Sequence, residues 1–508
     1  MSWKDRFAVV WTLASGAPEK LADMVLTETE LRVTFSDPAR DKGVPGLSML
    51  HDMSGDSIMV YPRNGSRVLP PQLRALLPPD AALNPQRRIL LDLMLSSGRS
   101  ITGLPTELQQ WEMLVFAGRN AVGHIDVFEN DRDAQDYYTH NLASLPPTDQ
   151  SKLKDLKLWG AFRKYVAQSL PSVEEHQLKA TLGPTPGVAG FVPKMLCAIK
   201  LESDGSWKGK TTGKPVDEEG GQDVVSALVK IEQHSYPGLL QLESLTYEYH
   251  RKAGIFDVPR TWLLETAVNN EPLIALASER FDRNHGVPLP LESMYSILHT
   301  GSPTKYLCNT DGSVEKIGEV LNKLGFPYSE VERFYAQFVM SILTGNGDLH
   351  TENIAILTDV SESGVDRYRL SPLFDPAPMR AYRGRHSHNV LSALPFGGGN
   401  PAETTGSATP GNLFDRMMAA AKFMGIKHTK AKMLVMHLHQ VTEPYLKDVT
   451  DLLRSIPKGR RPNSLAPDID GFTKTIKEVR DTIELGWSDR SSTPPPPPSR
   501  SKKSKLQP

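Results

Sequence analysis

Along the first 130 residues apolar and polar positions alternate in short runs; beyond residue 310 they fall at helical spacing instead. Residues 8–13, 30–35, 57–61 and 121–128 read as strands, with Gly, Pro and Asp punctuation between them, and residues 86–95 read as a helix. The first run follows Lys4 and Arg6, as a secretory leader would. It is short, however, and Asp5 interrupts the basic flank, so it predicts a first strand. From residue 131 to about 180 the pattern turns helical, polar and aromatic.

A Gly/Pro-rich turn over residues 183–194 then leads into an apolar strand at 195–200. Such a turn can bring backbone N–H groups close to phosphates. Residues 224–231 form a second apolar strand, with Lys230 inside it. Residues 239–252 set Leu242, Leu245 and Tyr249 on one helical face, with Glu248 on the same helix and Gly254 as its stop. Residues 256–264 and 273–281 predict a hairpin across Asn269 and Asn270. A glycine-rich turn, a strand with Lys, a helix with Glu and then strands leading to a linker is the order of a kinase small lobe.

In the last third, Ser329 and Glu332 have the spacing of a capping box, and Val331, Phe334, Phe338 and Ile342 line the helix that follows. Further helices are predicted over 412–424, 430–453 and 472–485. The proline run and the Ser/Lys residues from Ser491 to Pro508 predict a disordered tail. No run approaches the ~20 apolar residues of a membrane span. The 58 basic and 59 acidic residues leave a net charge of −1, which removes the electrostatic argument for direct, non-specific nucleic-acid binding. Cys197 and Cys308 form no metal-ligand pattern and suit a reducing, cytoplasmic setting.

The candidate chemistry centres on Gly345–Asn353. An Asp followed five residues later by an Asn is the spacing of a kinase catalytic loop, in which the Asp accepts the proton of the attacking hydroxyl and the Asn holds Mg²⁺. Asp348 is the candidate base, and Asn353 and Asp375 are the candidate Mg²⁺ ligands. A hairpin between Asn353 and Asp375 returns the chain so that both side chains meet one ion site. His350 either orients the loop, touches a phosphate or is hydrogen-bonded within the loop. A zinc site is disfavoured, because His350 and Glu352 have no third ligand at helical spacing. A buried lysine needs a partner, so Lys230 is expected to pair with Glu248 and bind phosphate. Residues 278–283 fall where a hinge between lobes belongs, with Glu279 and Phe281 beside adenine.

These residues together resemble the HipA-type serine/threonine kinases, the toxin halves of bacterial toxin–antitoxin pairs. The carriers are Gly118–Gly123, Val188–Lys194, Ser278–Arg283, Asp311-Gly312, Gly345–Asn353 and Leu373-Phe374-Asp375, in family order. The resemblance implies an α+β, two-lobed, protein-kinase-like fold. It would comprise a β-rich amino-terminal subdomain (1–130), a small lobe with the glycine-rich loop (131–283), an all-α large lobe (284–487) and a tail (488–508). It implies ATP and Mg²⁺ as cofactors, Asp348 as catalytic Asp, Asn353 and Asp375 as metal ligands, and Lys230 as the ATP lysine. Glu279 and Phe281 would form the hinge, and Val188, Ala189, Gly190 and Lys194 the phosphate turn. It further implies a protein substrate, such as an aminoacyl-tRNA synthetase, and a small helix-turn-helix antitoxin that would supply DNA binding. Two positions depart from the family: Gly187 stands where a Ser is often autophosphorylated, with Thr185 nearby, and Glu352 stands where a Lys often precedes the metal-binding Asn.

Two other readings fit parts of the chain. Gly347-Asp348-Leu349-His350 followed by Asn353 also resembles the loop of aminoglycoside and choline phosphotransferases, which lack the string at 279–283. An inactive kinase fold acting as co-repressor with a DNA-binding partner is the other.

Overall fold

The computed structural model describes residues 4–488 apart from 52, 56, 64–68, 79–86, 88–89, 92–93, 96–97, 120, 143–191, 193, 202–206, 212–223, 233–235, 269–270, 285, 299–311, 362–363, 383–390, 398–411 and 457–466. The phosphate-turn residues Val188, Ala189 and Gly190, the departure at Gly187 with nearby Thr185, and the predicted tail lie outside the described residues.

The amino-terminal region is built on strands β1 (Arg6–Thr12), β2 (Glu19–Leu26), β3 (Glu30–Phe35), β4 (Ile58–Pro62) and β5 (Ile125–Phe128), in the order β4-β3-β2-β1-β5. Alternation explains the inner face: Leu31, Val33 and Phe35 of β3 are buried while Arg32 between them is exposed. Short helices α1 (Asp37–Asp41) and α2 (Pro71–Arg74), helical residues between 87 and 95, and helix α3 (Thr106–Ala117) cover that face. Trp111 and Leu114 of α3 pack into the same core as Val10 and Leu21. Strand β2 and helix α3 are additions to the expected pattern. Helix α4 (Asp131–Leu142) follows β5.

A second antiparallel sheet holds β6 (Lys194–Leu201), β7 (Trp207–Thr211), β8 (Val224–Ile231), β9 (Thr261–Val268) and β10 (Glu271–Glu279), in the order β7-β6-β8-β10-β9. β8 is therefore the central strand, and Lys230 lies in it directly across from Lys194 of β6. Helix α5 (Leu239–Ala253) packs on β9 and β10 and is stopped by left-handed Gly254, as expected. β9 and β10 form the predicted hairpin, with Val268 paired to Glu271.

After the short strands β11 (Arg283–Asn284) and β12 (Val287–Pro288), β13 (Leu291–Ser293) pairs with the hairpin of β14 (Ala355–Ser361) and β15 (Gly364–Leu370). The carboxy-terminal half is thus not all-α; a three-stranded sheet carries its catalytic-type loop. Its helices are α6 (Met294–Ile297), α7 (Val314–Lys323), α8 (Tyr328–Thr344), α9 (Asn412–Phe423), α10 (His428–Val441), α11 (Tyr445–Ser455) and α12 (Ile469–Ser488). The expected capping box is absent. The helix starts at Tyr328, two residues earlier than a Ser329 cap would set it, behind Pro327 with no side-chain cap, and Glu332 instead pairs with Lys430 at 3.3 Å. The expected single helix over 430–453 is two, because Pro444 has no N–H to continue the first. Val331, Phe334, Phe338 and Ile342 are all fully buried, as their spacing predicts. No helix among the described residues is long and apolar enough to cross a membrane.

Candidate active site

Helix α8 delivers the loop. Gly345 ends it with φ 71°, and a Cβ there would lie 2.6 Å from the Phe472 ring, so both backbone conformation and space demand glycine. The loop is then tied by its own bonds. Asn346 Oδ1 accepts the Asp348 N–H at 3.0 Å, and the Asp348 carbonyl accepts the His350 N–H at 2.8 Å and Asn353 Nδ2 at 2.9 Å. His350 Nδ1 accepts the Glu352 N–H at 3.2 Å, which leaves the ring proton on Nε2, 3.7 Å from Asp348 Oδ1. His350 therefore organises the loop and faces the carboxylate of Asp348. Asn353 spends its amide nitrogen on the loop.

The hairpin of β14 and β15 returns the chain as expected, and Ser371 N–H donates to Ala355 O at 2.9 Å to close it. Asp375 follows in a left-handed conformation (φ 55°), uncommon for a residue other than glycine. Its N–H donates to the Tyr247 hydroxyl at 3.2 Å. Its carboxylate accepts Lys230 Nζ at 2.6 Å and Lys194 Nζ at 3.4 Å. Burial alone would push this carboxyl up; the two ammonium groups outweigh it and hold Asp375 well below the ordinary carboxylate range.

The buried partner of Lys230 is Glu243, not Glu248. Glu243 Oε1 lies 2.5 Å from Lys230 Nζ, whereas Glu248 is over half exposed and pairs with Arg251 at 2.6 Å. The helix period gives the reason. Glu243 shares the buried stripe of Leu239, Thr246 and His250, and Glu248 falls on the opposite side. Burial pushes the Glu243 carboxyl up and Lys230 pulls it back, the net shift being upward. For Lys230, burial lowers the pKa and the two carboxylates, Asp375 ahead of Glu243, raise it further, so the ammonium is firmly charged. Lys194 and Lys230 are directly opposed across β6 and β8, and the two acids offset that like-charge contact.

At the end of β10, where the sequence places a hinge, the Glu279 side chain turns outward to a paired contact with Arg260 (2.9 and 2.6 Å), so only its backbone can serve a ligand in the cleft. The Phe281 ring lies 5.7 Å from that of Phe374. The next residue, Asp282, was not assigned a role in the sequence and is the most heavily bonded of the string. It accepts from Arg280 (2.9 and 2.7 Å), Arg283 (2.9 Å) and the Gly123 N–H (2.9 Å), while both arginines also reach Ala121 O. Burial opposes its ionisation, but Arg280 and Arg283 hold its carboxyl far below the usual range. Asp282 thereby fastens Ala121 and Gly123 to the end of β10. Glu292 makes a second fastening, accepting Ser48 Oγ at 2.9 Å and the Met49 N–H at 2.8 Å.

Asp348, His350, Glu352, Asn353, Asp375, Lys194, Lys230, Glu279 and Phe281 all line one cavity of about 690 Å³, together with Glu243; Glu248 does not. Its chemistry fits Mg²⁺, a hard ion that takes one or two protein oxygens and keeps the rest for phosphate and water. Asp375 and Asn353 supply such oxygens, and no group of three or more His, Cys, Asp or Glu able to hold a metal occurs among the described residues. A mixed α/β kinase-like fold, a loop with Asp and Asn at this spacing and a lysine-braced acid facing it across one cleft define the class.

The chain belongs to the HipA family: the HipA-like C-terminal domain matches residues 187–444. It is similar to the HipA chain of the HipA–HipB–operator DNA complex of Shewanella oneidensis MR-1, covering 94% of this chain and 96% of that one at 15% identity and a TM-score of 0.54, and it shares that fold. A protein of Sinorhizobium fredii named as a candidate kinase, Y4dM, is 29% identical over 190 residues, 36% of this chain; the match spans 40% of that relative's length. A proinflammatory kinase of Helicobacter pylori, CtkA, aligns at 12% identity with a TM-score of 0.33, too low to carry an argument.

Proposed function

We propose that this protein is an ATP-dependent protein serine/threonine kinase of HipA type. The observation that carries the reading is the convergence of Asp348, Asn353, Asp375 and Lys230 on one cleft from three separate parts of the chain: the Gly345–Asn353 loop, the segment after β15 and strand β8. Asp348 Oδ accepts the proton of the acceptor hydroxyl as its oxygen attacks the γ-phosphorus; the bond to the ADP oxygen breaks, and the proton passes on to solvent. His350 keeps the loop in shape and its Nε2–H toward Asp348. Lys230, held by Glu243, and Lys194 supply positive charge for the phosphates. Asn353 and Asp375 would hold Mg²⁺, which neutralises charge on the phosphate oxygens when bound. Backbone groups at Glu279 and Phe281 would take the adenine.

The biological role we infer is a growth-inhibiting cytoplasmic toxin. It would phosphorylate a translation-related protein and be neutralised by a small helix-turn-helix antitoxin that contacts DNA. The HipA chain with which it shares a fold was captured with HipB and operator DNA, which supports that partner.

Calorimetry tests the site. Wild type should bind ATP at least tenfold more tightly with Mg²⁺ than without, and Asp375→Asn should lose that difference. Equal Mg²⁺ dependence in both would remove Asp375 from the metal role. Induced expression of wild type, but not of Asp348→Ala, should arrest growth; equal toxicity would set the toxin reading aside.

A further inference from the structure

The cavity does not end at the nucleotide groups. It continues past Glu292 and Ser296 into an arm between the amino-terminal region and the β13–β15 sheet, walled by Val44, Met49, Met53 and Leu76 on one side and Thr358 and Tyr368 on the other. Helix α2, which carries Gln72, packs against α6, and α6 packs against the turn at Thr351–Asn353. The arm is therefore one helix away from the catalytic-type loop.

Gln72 is the unusual group there. It is 5% exposed, yet among the described residues neither Oε1 nor Nε2 has a hydrogen-bond partner. Burying both ends of a carboxamide without partners is costly and calls for an explanation. A carboxamide offers a donor and an acceptor side by side, which another amide matches. The rest of the wall is mostly apolar, and among the described residues no Lys or Arg lines the arm on the amino-terminal side. Its acid, Glu292, is already engaged by Ser48, Met49 and Ser296 (2.9, 2.8 and 2.5 Å). Nothing in the arm favours phosphate; an uncharged, amide-bearing, partly apolar occupant suits it.

We propose that the arm receives the acceptor polypeptide, seating an apolar side chain among Met49, Met53 and Leu76 and pairing a peptide amide with Gln72. The amino-terminal region is then the element that reads the substrate, and Glu292 and Asp282 hold it at the cleft for that purpose. This rests on the kinase reading above.

The test uses the full chain, with Ala75→Trp to fill the arm by bulk and Gln72→Leu to remove the amide; Ala75 also lines the cavity. A degenerate serine/threonine peptide library is phosphorylated with labelled MgATP, and MgATP affinity is measured by calorimetry. Wild type should select an apolar residue at one fixed distance from the acceptor. Ala75→Trp should erase that selection and raise the peptide KM at least tenfold, Gln72→Leu should raise it severalfold, and the Kd for MgATP should move less than twofold. A tenfold loss of MgATP affinity in Ala75→Trp would assign the arm to the nucleotide and overturn the proposal, as would unchanged peptide selection in both variants. If wild type transfers no phosphoryl group at all, the kinase reading fails on its own. A displayed random-peptide selection then still decides the arm, supporting it only if wild type enriches apolar peptides that Ala75→Trp does not bind.

Discussion

Replacing Glu243 and Glu248 in turn separates two acids on the same helix. Glu243→Ala removes a carboxylate that is 1% exposed and 2.5 Å from Lys230, itself 5% exposed. Breaking a buried pair by removing one partner costs about 3–5 kcal/mol. Here Asp375 still contacts the same ammonium at 2.6 Å, which places the expected loss near the low end, about 3 kcal/mol. Glu248→Ala removes an i,i+3 pair whose carboxylate is 55% exposed, and solvent screening leaves it worth about 0–1 kcal/mol. Urea unfolding of the three proteins should show this separation. Calorimetry should add a second one: with Glu243 gone, Lys230 is drawn wholly to Asp375, and MgATP affinity should fall at least tenfold, while Glu248→Ala binds as wild type does. Equal effects of the two replacements on both measurements would refute the argument that Glu243 braces Lys230 in the cleft.

Other groups give sharp expectations. Asp282→Asn leaves Arg280 and Arg283 buried with a weakened partner, so limited proteolysis should release the amino-terminal region much faster than in wild type; an unchanged pattern would mean Asp282 is no fastening. His124 is buried, and burial outweighs its bonds to Pro45 O and Gly46 O to lower its pKa from 6.5 to about 4. Its neutral form is favoured by folding, so this stability is present above pH 6.5 and is lost as pH falls toward 4, about 3 kcal/mol in all. His124→Gln should flatten thermal stability across that window, and an unchanged slope would assign the acid loss elsewhere. Arg380 is buried against Gly347, its three guanidine nitrogens have no hydrogen-bond partner among the described residues, and burial lowers its pKa to about 10. Arg380→Met should therefore raise stability by about 1–4 kcal/mol in urea, whereas a loss would show that the charge is compensated in solution.

The placement of the loop residues was the most legible part, because it is local: short spacings and one hairpin bring Asp348, Asn353 and Asp375 to one cavity. Strands such as β8 and helices such as α8 were legible from period alone. Glu243 was missed for a physical reason. Two acids lie on α5, and only the exact phase of the buried stripe, which includes Thr246 and His250 as well as leucines, says which one turns inward. β2 and α3 were missed because β2 carries Glu19, Lys20 and Asp23 and α3 starts without a side-chain cap. The fastening at Asp282 could not be read at all, since its partner Gly123 is 159 residues away and contributes only a backbone N–H. The same holds for the arm at Gln72, which exists only where two distant regions meet.

Transfer of the γ-phosphoryl group from labelled MgATP to protein, measured for wild type and Asp348→Ala, tests the central claim most directly. Wild type should label serine or threonine, and Asp348→Ala should transfer ~10²–10⁴-fold more slowly while binding MgATP normally. A correctly folded Asp348→Ala protein that transfers at the wild-type rate would contradict the account.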